Sequence, residues 1–321
     1  MKIFFYNNWH NGDIHNSRSF IKEIVQRNPQ HQFTYLHYNS NRLLLDIKGL
    51  SYQNIKNFDF LNILERPNIY HDLKECLSYE QRKKIPQPLG LDNKKLPIFI
   101  KDDACFINTW IGSYPQKESI YNRYITAFQR IFELFNMNFD QEKNWCPEID
   151  FSTFSTKKIK DFIDSKKKTR ILVCNGHSLQ ADDFCFKNSL EKLLSNFDFE
   201  LILTSKKDQI SEAKYTEDIT DYPLNDLNEI SLISTSCDII VGRSSGPSSY
   251  CIVKDNQLDP AKIFVNFIHI DEDENFDLNK LEEPKRGPFF LKHSKAKFVF
   301  SNDFSDEGIF NTVKENLAQN G

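Results

Sequence analysis

Short apolar segments alternate along the chain with stretches in which apolar residues recur every three to four positions. Lys2–Tyr6 is a run of strand-forming residues, and a polar turn at Asn7–Asp13 follows it. The next apolar residues have helical spacing: Phe20, Ile21, Ile24 and Val25. Pro29 limits this helix, and residues 32–38 alternate as a second strand. The order strand, helix, strand predicts the opening unit of a parallel sheet.

The remainder of the first half is patterned less regularly. Residues 104–109 predict a buried strand, and residues 121–135 predict a helix with an apolar face. That face consists of Ile125, Phe128, Ile131, Phe132 and Phe135. Between the two well-patterned parts, residues 50–100 show no pattern that orders their strands.

The second half alternates strands and helices more clearly. Strands are predicted in five segments: 170–174, 199–204, 219–223, 237–241 and 263–267. Apolar residues with helical spacing lie between them, and residues 306–317 predict a closing helix. This alternation is typical of a second doubly wound parallel sheet.

These elements divide the chain into domains. We expect a Rossmann-like domain at 1–150, a linker at 151–168 where serine, threonine and lysine cluster, a second Rossmann-like domain at 169–304, and a closing helix at 305–321. The predicted fold class is therefore α/β, with two doubly wound parallel-sheet domains. Ligands bind outside the carboxyl ends of strands in such sheets, so both sets of strand-end loops are expected to face a central cleft.

Charge and hydropathy restrict the classes of partner. The 321 residues carry a net charge of -4, which gives no excess of positive charge for binding nucleic acid. No window has the roughly 18 to 20 consecutive apolar residues of a membrane span, although peripheral membrane contact is compatible with the sequence. The first residues lack the apolar core of a secretory signal, and we expect a cytoplasmic protein whose partner is a small ligand.

Cysteine and acidic residues give no sign of a metal site. The seven cysteines are odd in number and scattered, without a C-x-x-C pair, which indicates reduced thiols. The four acids at 271–274 are consecutive, so they cannot all face one point and are interpreted as a solvated loop. We therefore expect no cofactor and no metal.

The loop after the first strand holds the first candidate site. It contains Trp9, His10, Gly12, Asp13 and His15. Asp13 is a candidate general base, since a carboxylate at a strand end can take a proton from an attacking hydroxyl. The alternative is that Asp13 only N-caps the following helix. His10 and His15 are competing bases, although each is more typical of an ordinary polar loop.

The turn Gly242–Ser249 is the second candidate site. Its small residues follow a predicted strand and precede a helix, where free backbone N–H groups bind phosphate. Side chains of Ser244, Ser245 and Ser248 add hydroxyl donors around Gly246, and Arg243 adds a positive charge. The pattern is neither a P-loop nor G-x-G-x-x-G, and a structural turn with an N-cap serine is the alternative.

Two further strand ends are expected to line the same wall. Asn175 and Gly176 follow one strand, and Lys206 follows the next. Lys206 is a candidate phosphate contact, and otherwise a solvated surface lysine.

The opening strand, the Gly12–Asp13 turn and the helix ending at Pro29 together resemble the start of GT-B glycosyltransferases of the bacterial ADP-heptose:lipopolysaccharide heptosyltransferase family. Residues 227–249 resemble the donor-binding region of that family. The family's donor loop reads Asp-Thr-Gly with a histidine three residues on, whereas this chain has Ser244-Ser245-Gly246 and Ser249. The resemblance therefore does not carry ADP-heptose over as the donor.

The resemblance implies a transferase of hexosyl, heptosyl or related sugars in polysaccharide or lipopolysaccharide biosynthesis. A nucleotide-sugar donor would bind the second domain and a glycan or glycolipid acceptor the first, with Asp13 as base in one inverting, metal-independent displacement. Two alternatives stay open: a GT-B-like nucleotide-sugar epimerase, and a non-catalytic nucleotide- or sugar-binding protein.

Overall fold

The computed structural model describes residues 1–7, 11–37, 42–54, 98–101, 104–109, 120–176, 185–221, 226–243, 245–268 and 292–318. These residues form two compact units. The first comprises the described residues of Met1–Pro147 and Leu281–Lys292, and the second those of Glu148–Lys280 and His293–Gly321. In the described part of the chain, no helix combines the length and the apolar character needed to cross a membrane.

The first unit is built on a five-stranded sheet. Its strands are β1 (Lys2–Tyr6), β2 (Gln32–His37), β3 (Leu50–Asn54), β4 (Ile98–Lys101) and β5 (Ala104–Asn108). Their order is β3-β2-β1-β5-β4, and all neighbours are parallel except β4 and β5. The predicted opening strand, helix and strand are confirmed. Strands β3 and β4 fall in the stretch where the sequence pattern ordered nothing.

Among the described residues of this unit, two helices accompany the sheet: α1 (Asn11–Arg27) and α2 (Ile120–Leu134). Phe20 of α1 stacks on Phe128 of α2 with ring centroids 4.4 Å apart, and Trp145 stacks on Phe20 from the other side at 4.7 Å. Apolar burial of this kind is the main favourable term that holds a helix on a sheet. It fixes α2 beside α1, which matters for the candidate site.

The second unit is built on a six-stranded, fully parallel sheet. Its strands are β6 (Arg170–Cys174), β7 (Glu200–Leu203), β8 (Lys214–Tyr215), β9 (Ile239–Arg243), β10 (Ile263–Phe267) and β11 (Lys297–Ser301). Their order is β11-β10-β9-β6-β7-β8. Seven α-helices and a short 3-10 turn (Phe151–Thr153) accompany it among the described residues. The helices are α3 (Lys157–Asp164), α4 (Lys187–Asn196), α5 (Thr216–Ile219), α6 (Leu227–Thr235), α7 (Gly246–Cys251) and α8 (Lys254–Leu258), and α9 (Asp306–Leu317) closes the chain as predicted.

Successive residues of strand β6 pack alternately into two separate apolar clusters. Ile171 and Val173 pack with residues of α4 and α9, whereas Leu172 and Cys174 pack with residues of α3 and α6. Because successive side chains of a strand point to opposite faces, helices cover both faces of the sheet. The second unit is thus a three-layer α/β/α sandwich, as doubly wound sheets require.

The segment 151–168, expected to be a linker, carries structure of its own. Helix α3 lies within it, and Ile159 and Phe162 of that helix are buried in the core of the second unit. Arg170, fully buried, donates to the Phe162 carbonyl at 2.8 Å and forms an ion pair with Glu200. These contacts attach the segment to the sheet of the second unit.

One predicted strand is wrong. Ile219 ends the short helix α5, and the strand at this edge of the sheet is the preceding pair Lys214–Tyr215. Residues 222 and 223 of the predicted segment lie outside the described residues. A two-residue edge strand is too short to produce a period of its own, which explains why the sequence pattern missed it.

Candidate active site

Asp13 lies in the first turn of α1, directly after the first strand. Helix α1 begins at Asn11, so Gly12 and Asp13 belong to the helix and not to the loop predicted before it. The N-cap position precedes Asn11, and the alternative in which Asp13 caps the helix is therefore wrong. Trp9 and His10 lie outside the described residues.

Tyr124 of α2 holds the Asp13 carboxylate. The Tyr124 hydroxyl donates to Asp13 Oδ1 at 2.9 Å and lies 3.3 Å from the Asp13 carbonyl oxygen. Only 1% of Tyr124 is exposed, whereas Asp13 keeps part of its surface. No described residue donates to Asp13 Oδ2. One carboxylate oxygen is therefore fixed, and the other can accept a proton.

Burial sets the protonation of this carboxyl group. Desolvation raises the pKa of Asp13 from 3.8 to about 6, against the smaller lowering effect of the Tyr124 hydrogen bond. The position in the first turn of a 17-residue helix favours the ionised form, because the helix N-terminus carries partial positive charge. A carboxylate with a pKa near 6 is ionised at neutral pH and is a stronger base than an exposed one.

His15 is buried and does not lie in a loop. It occupies the second turn of α1 and has no exposed surface. Exposure to solvent therefore distinguishes two of the candidate bases: Asp13 is partly exposed, and His15 is not.

The donor-side candidates meet at one edge of the second sheet. Strands β6, β7 and β9 are neighbours and parallel, so the residues that follow Cys174, Leu203 and Arg243 lie along the same edge. Arg243, 1% exposed, donates from Nη2 to the Gly176 carbonyl at 2.6 Å and joins the ends of β9 and β6. The predicted neighbourhood of these strand ends is confirmed, and the Arg243 side chain, predicted to add a positive charge to the turn, is buried.

Gly242 allows the start of α7 to approach the end of β9. A Cβ atom at this position would lie 2.7 Å from Ser248 Oγ and 3.0 Å from Ser248 Cβ. Ser245 is the N-cap of α7, and its hydroxyl accepts from the backbone N–H of Ser248 at 3.4 Å. Gly246 is the first residue of the helix, and Ser244 lies outside the described residues. The N-cap serine of the structural alternative is thus present, and it shapes the same loop.

Asn175 connects two of the strand ends. Its side-chain oxygen accepts from the Ser205 backbone N–H at 2.8 Å, and its Nδ2 donates to the Ser205 carbonyl at 2.9 Å and to Asp208 Oδ2 at 3.0 Å. Asn175 is 1% exposed, so in this structure its amide fixes the loop after β7. A Cβ atom built on Gly176 would lie 4.0 Å from Ser205 Cβ, at van der Waals distance from that loop.

Lys206 lies on the surface. It forms ion pairs with Glu217 and, at 3.5 Å, with Asp218, and hydrogen bonding to Glu217 raises its pKa. Among the candidates, it is the positive side chain with the largest exposed area.

Tyr124 and Asp208 are the site residues that sequence reasoning missed. Tyr124 sits in the predicted helix 121–135, but its neighbours there are apolar core residues and nothing in the pattern pairs it with Asp13. Ser205, by contrast, follows a predicted strand end, and its position was a usable signal.

Comparison with known proteins was made by sequence and by structure. No family model and no curated protein matches the chain. A glycosyl transferase family 9 protein from Veillonella parvula DSM 2008 is similar in structure, with a TM-score of 0.56 and 12% identity over 99% of this chain and 97% of that one. The E. coli ADP-heptose lipopolysaccharide heptosyltransferase II gives 0.51 and 14%, with 99% of each chain covered.

A third similar structure is the E. coli heptosyltransferase WaaC with ADP. Its TM-score is 0.50 at 10% identity, and the whole of each chain is covered. At such identities the likeness defines the fold, and the chain has the two-domain GT-B fold of glycosyltransferases. The resemblance to heptosyltransferases predicted from the sequence is confirmed at this level.

Proposed function

We propose that the chain is a glycosyltransferase that moves a sugar from a nucleotide-sugar donor to a hydroxyl of a glycan or lipopolysaccharide-type acceptor. The observation that carries the proposal is the Asp13 carboxylate. In a chain with a glycosyltransferase fold, it follows the first strand, has one oxygen held by Tyr124, and has its pKa raised to about 6. These are the properties of a general base that works at neutral pH.

The proposed reaction is a single displacement with inversion. Asp13 Oδ2 takes the proton of the acceptor hydroxyl while that oxygen attacks the anomeric carbon of the donor. The bond between the anomeric carbon and the diphosphate oxygen breaks, and the nucleoside diphosphate leaves with the electron pair. No metal ion is required, because backbone N–H groups and positive side chains of the second unit take up the charge of the departing diphosphate.

We place the diphosphate at the carboxyl edge of β6 and β9. Gly176 follows β6 at this edge, and Ser245, Gly246 and Ser248 supply polar groups at the start of α7, which follows β9. Arg243 contributes as a buried positive charge whose hydrogen bond holds the Gly176 carbonyl in place. Lys206 can join only by leaving its acidic partners, and Asn175 contributes by holding the Ser205 loop.

Adenine nucleotides are the first probes to use. WaaC has been solved with ADP and with ADP-2-deoxy-2-fluoro heptose, which makes ADP a reasonable ligand for a chain of the same fold. A bound ligand stabilises the folded state by RT ln(1 + [L]/Kd), about 2.7 kcal/mol at a hundredfold excess over Kd. A thermal-shift panel of nucleoside diphosphates therefore identifies the base before any acceptor is known.

The decisive experiment is turnover of the identified nucleotide sugar by the wild type, Asp13→Asn and Glu133→Gln. We expect Asp13→Asn to lower kcat by about 10² to 10⁴ with little change in donor affinity, and the exposed Glu133 to be dispensable. NMR of the product gives the anomeric configuration, and a parallel reaction in EDTA tests metal independence.

Three results would count against the proposal. Asp13→Asn turnover within a few-fold of the wild type would reject Asp13 as the base. Conversion of the donor sugar without an acceptor would indicate an epimerase. Nucleotide binding without any product, across a range of glycan acceptors, would indicate a binding protein.

A further inference from the structure

Tyr124 makes two contacts to a single residue. Its hydroxyl lies 2.9 Å from Asp13 Oδ1 and 3.3 Å from the Asp13 carbonyl oxygen, while its ring is buried in the contact between α2 and α1. A buried tyrosine hydroxyl usually finds a hydrogen-bond partner, but here the partner is the one carboxylate proposed to react. The hydroxyl therefore acts on both the orientation and the charge of Asp13.

We infer that Tyr124 is a positioning residue for the base, which fixes the Asp13 carboxylate through Oδ1, keeps it ionised near neutral pH and leaves Oδ2 to receive the acceptor proton. The inference rests on the proposed function and adds the group that regulates its base. Without the hydroxyl, the carboxylate would be free to rotate about its Cβ–Cγ bond. It would also lose a donor that favours its charged form.

The electrostatic surroundings of Asp13 make this donor important. Burial raises the pKa of Asp13, and the Tyr124 hydrogen bond is what opposes that rise among the residues that the structure describes. The other titratable side chains on this part of α1, His15 and Arg18, are buried, and Arg18 forms an ion pair with Asp46. Removal of the Tyr124 hydroxyl therefore moves the pKa of Asp13 further upward.

The test compares Tyr124→Phe with Tyr35→Phe. Tyr35 is a buried tyrosine of the same unit whose hydroxyl bonds to Thr109 at 2.8 Å, so its variant loses a similar contact away from Asp13. We expect the acid limb of kcat/KM against pH to lie near pH 6 in the wild type. Tyr124→Phe should shift it upward by about one pH unit, which lowers the rate at pH 6 about fivefold, and Tyr35→Phe should not shift it.

A second variant should shift the acid limb of kcat/KM in the opposite direction. Replacement of Tyr124 by 3-fluorotyrosine keeps the shape and makes the phenol a stronger donor, so the acid limb should move below that of the wild type. A purely structural tyrosine would not move the limb in opposite directions in the two variants. Acid limbs of both variants that coincide with that of the wild type would overturn the inference.

Direct titration separates this inference from the proposed function. The side-chain carboxyl carbon of Asp13, followed by NMR against pH, should titrate near 6 in the wild type and about one pH unit higher in Tyr124→Phe. An inactive wild type with this difference intact would contradict only the transferase proposal. An active wild type whose Asp13 titrates identically in Tyr124→Phe would contradict only the role of Tyr124.

Discussion

Asp13→Asn should make the protein more stable at neutral pH while it removes activity. In the folded chain the pKa of Asp13 is raised from 3.8 to about 6, so the folded state binds a proton that the unfolded state releases. The ionised carboxylate therefore destabilises the fold above pH 6. Asparagine is neutral, has the same shape and can still accept the Tyr124 hydrogen bond.

The size of this effect follows from the shift. Each pKa unit is worth 1.36 kcal/mol, so a rise from 3.8 to about 6 costs at most about 3 kcal/mol at pH 7. Asp13 keeps part of its surface in water, and asparagine loses about 0.3 to 1 kcal/mol of favourable interaction with the helix N-terminus. We therefore expect a gain of about 1 to 3 kcal/mol for Asp13→Asn at pH 7.

The sign of the pH dependence is fixed by the same shift. Below pH 4, Asp13 is protonated and its full contribution to the free energy of unfolding of the wild type is present. This contribution is lost as the pH rises through 6, whereas Asp13→Asn shows no such loss. The stability difference between the two should therefore be small at pH 4 and largest at pH 7 and above. Other titrating groups are common to both proteins and cancel in the difference.

Urea unfolding followed by tryptophan fluorescence measures the stability difference between the wild type and Asp13→Asn in the first unit. All three tryptophans, at positions 9, 110 and 145, lie in the first 147 residues, so the signal reports on the unit that contains Asp13. Glu133→Gln is the control, since an exposed carboxylate of α2 should change stability by less than about 0.5 kcal/mol at any pH. The reasoning would be refuted if Asp13→Asn were no more stable than the wild type at pH 7 and if the difference in free energy of unfolding between the two did not vary with pH.

The second unit gives three further predictions. Gly242→Ala should lower the free energy of unfolding by about 1 to 3 kcal/mol and weaken ADP binding by calorimetry, because its Cβ meets Ser248 at 2.7 Å, and the added Ser248→Gly should recover stability but not ADP binding. Arg170→Met should lower the free energy of unfolding by about 1 to 3 kcal/mol and expose the α3 amides to hydrogen exchange first, since it removes a buried donor to the Phe162 and Ile163 carbonyls and one of the two cations paired with Glu200, which keeps Lys214. Lys262→Met should lower the free energy of unfolding in urea by about 1 to 3 kcal/mol, because the buried Lys262 ammonium donates to three carbonyls at the end of α6. A change below about 0.5 kcal/mol would contradict this prediction.

The sequence predicted the elements of both sheets where side-chain periodicity is local. Residues 171–174 are buried on both faces of the sheet and form a continuous apolar run in the sequence, and the helix of residues 187–196 shows an apolar stripe at helical spacing. The same locality explains the failures. Strand β8 has two residues and no period, and the serine- and lysine-rich composition of 151–168 hides a helix whose buried face is only Ile159 and Phe162.

Outside residues 50–100 and 219–223, the sequence by itself determined the order of strands and helices, and it determined the two α/β domains and the positions of Asp13, Gly176 and Arg243 close to strand ends. Only the tertiary structure decided what those residues contact. Tyr124 meets Asp13 across 111 positions, and Arg243 meets Gly176 across 67. Local periodicity places a side chain on a face of its own element, but contacts between distant elements depend on packing and register, which no short window of sequence contains. The surroundings of Asp13 are therefore a property of the folded chain.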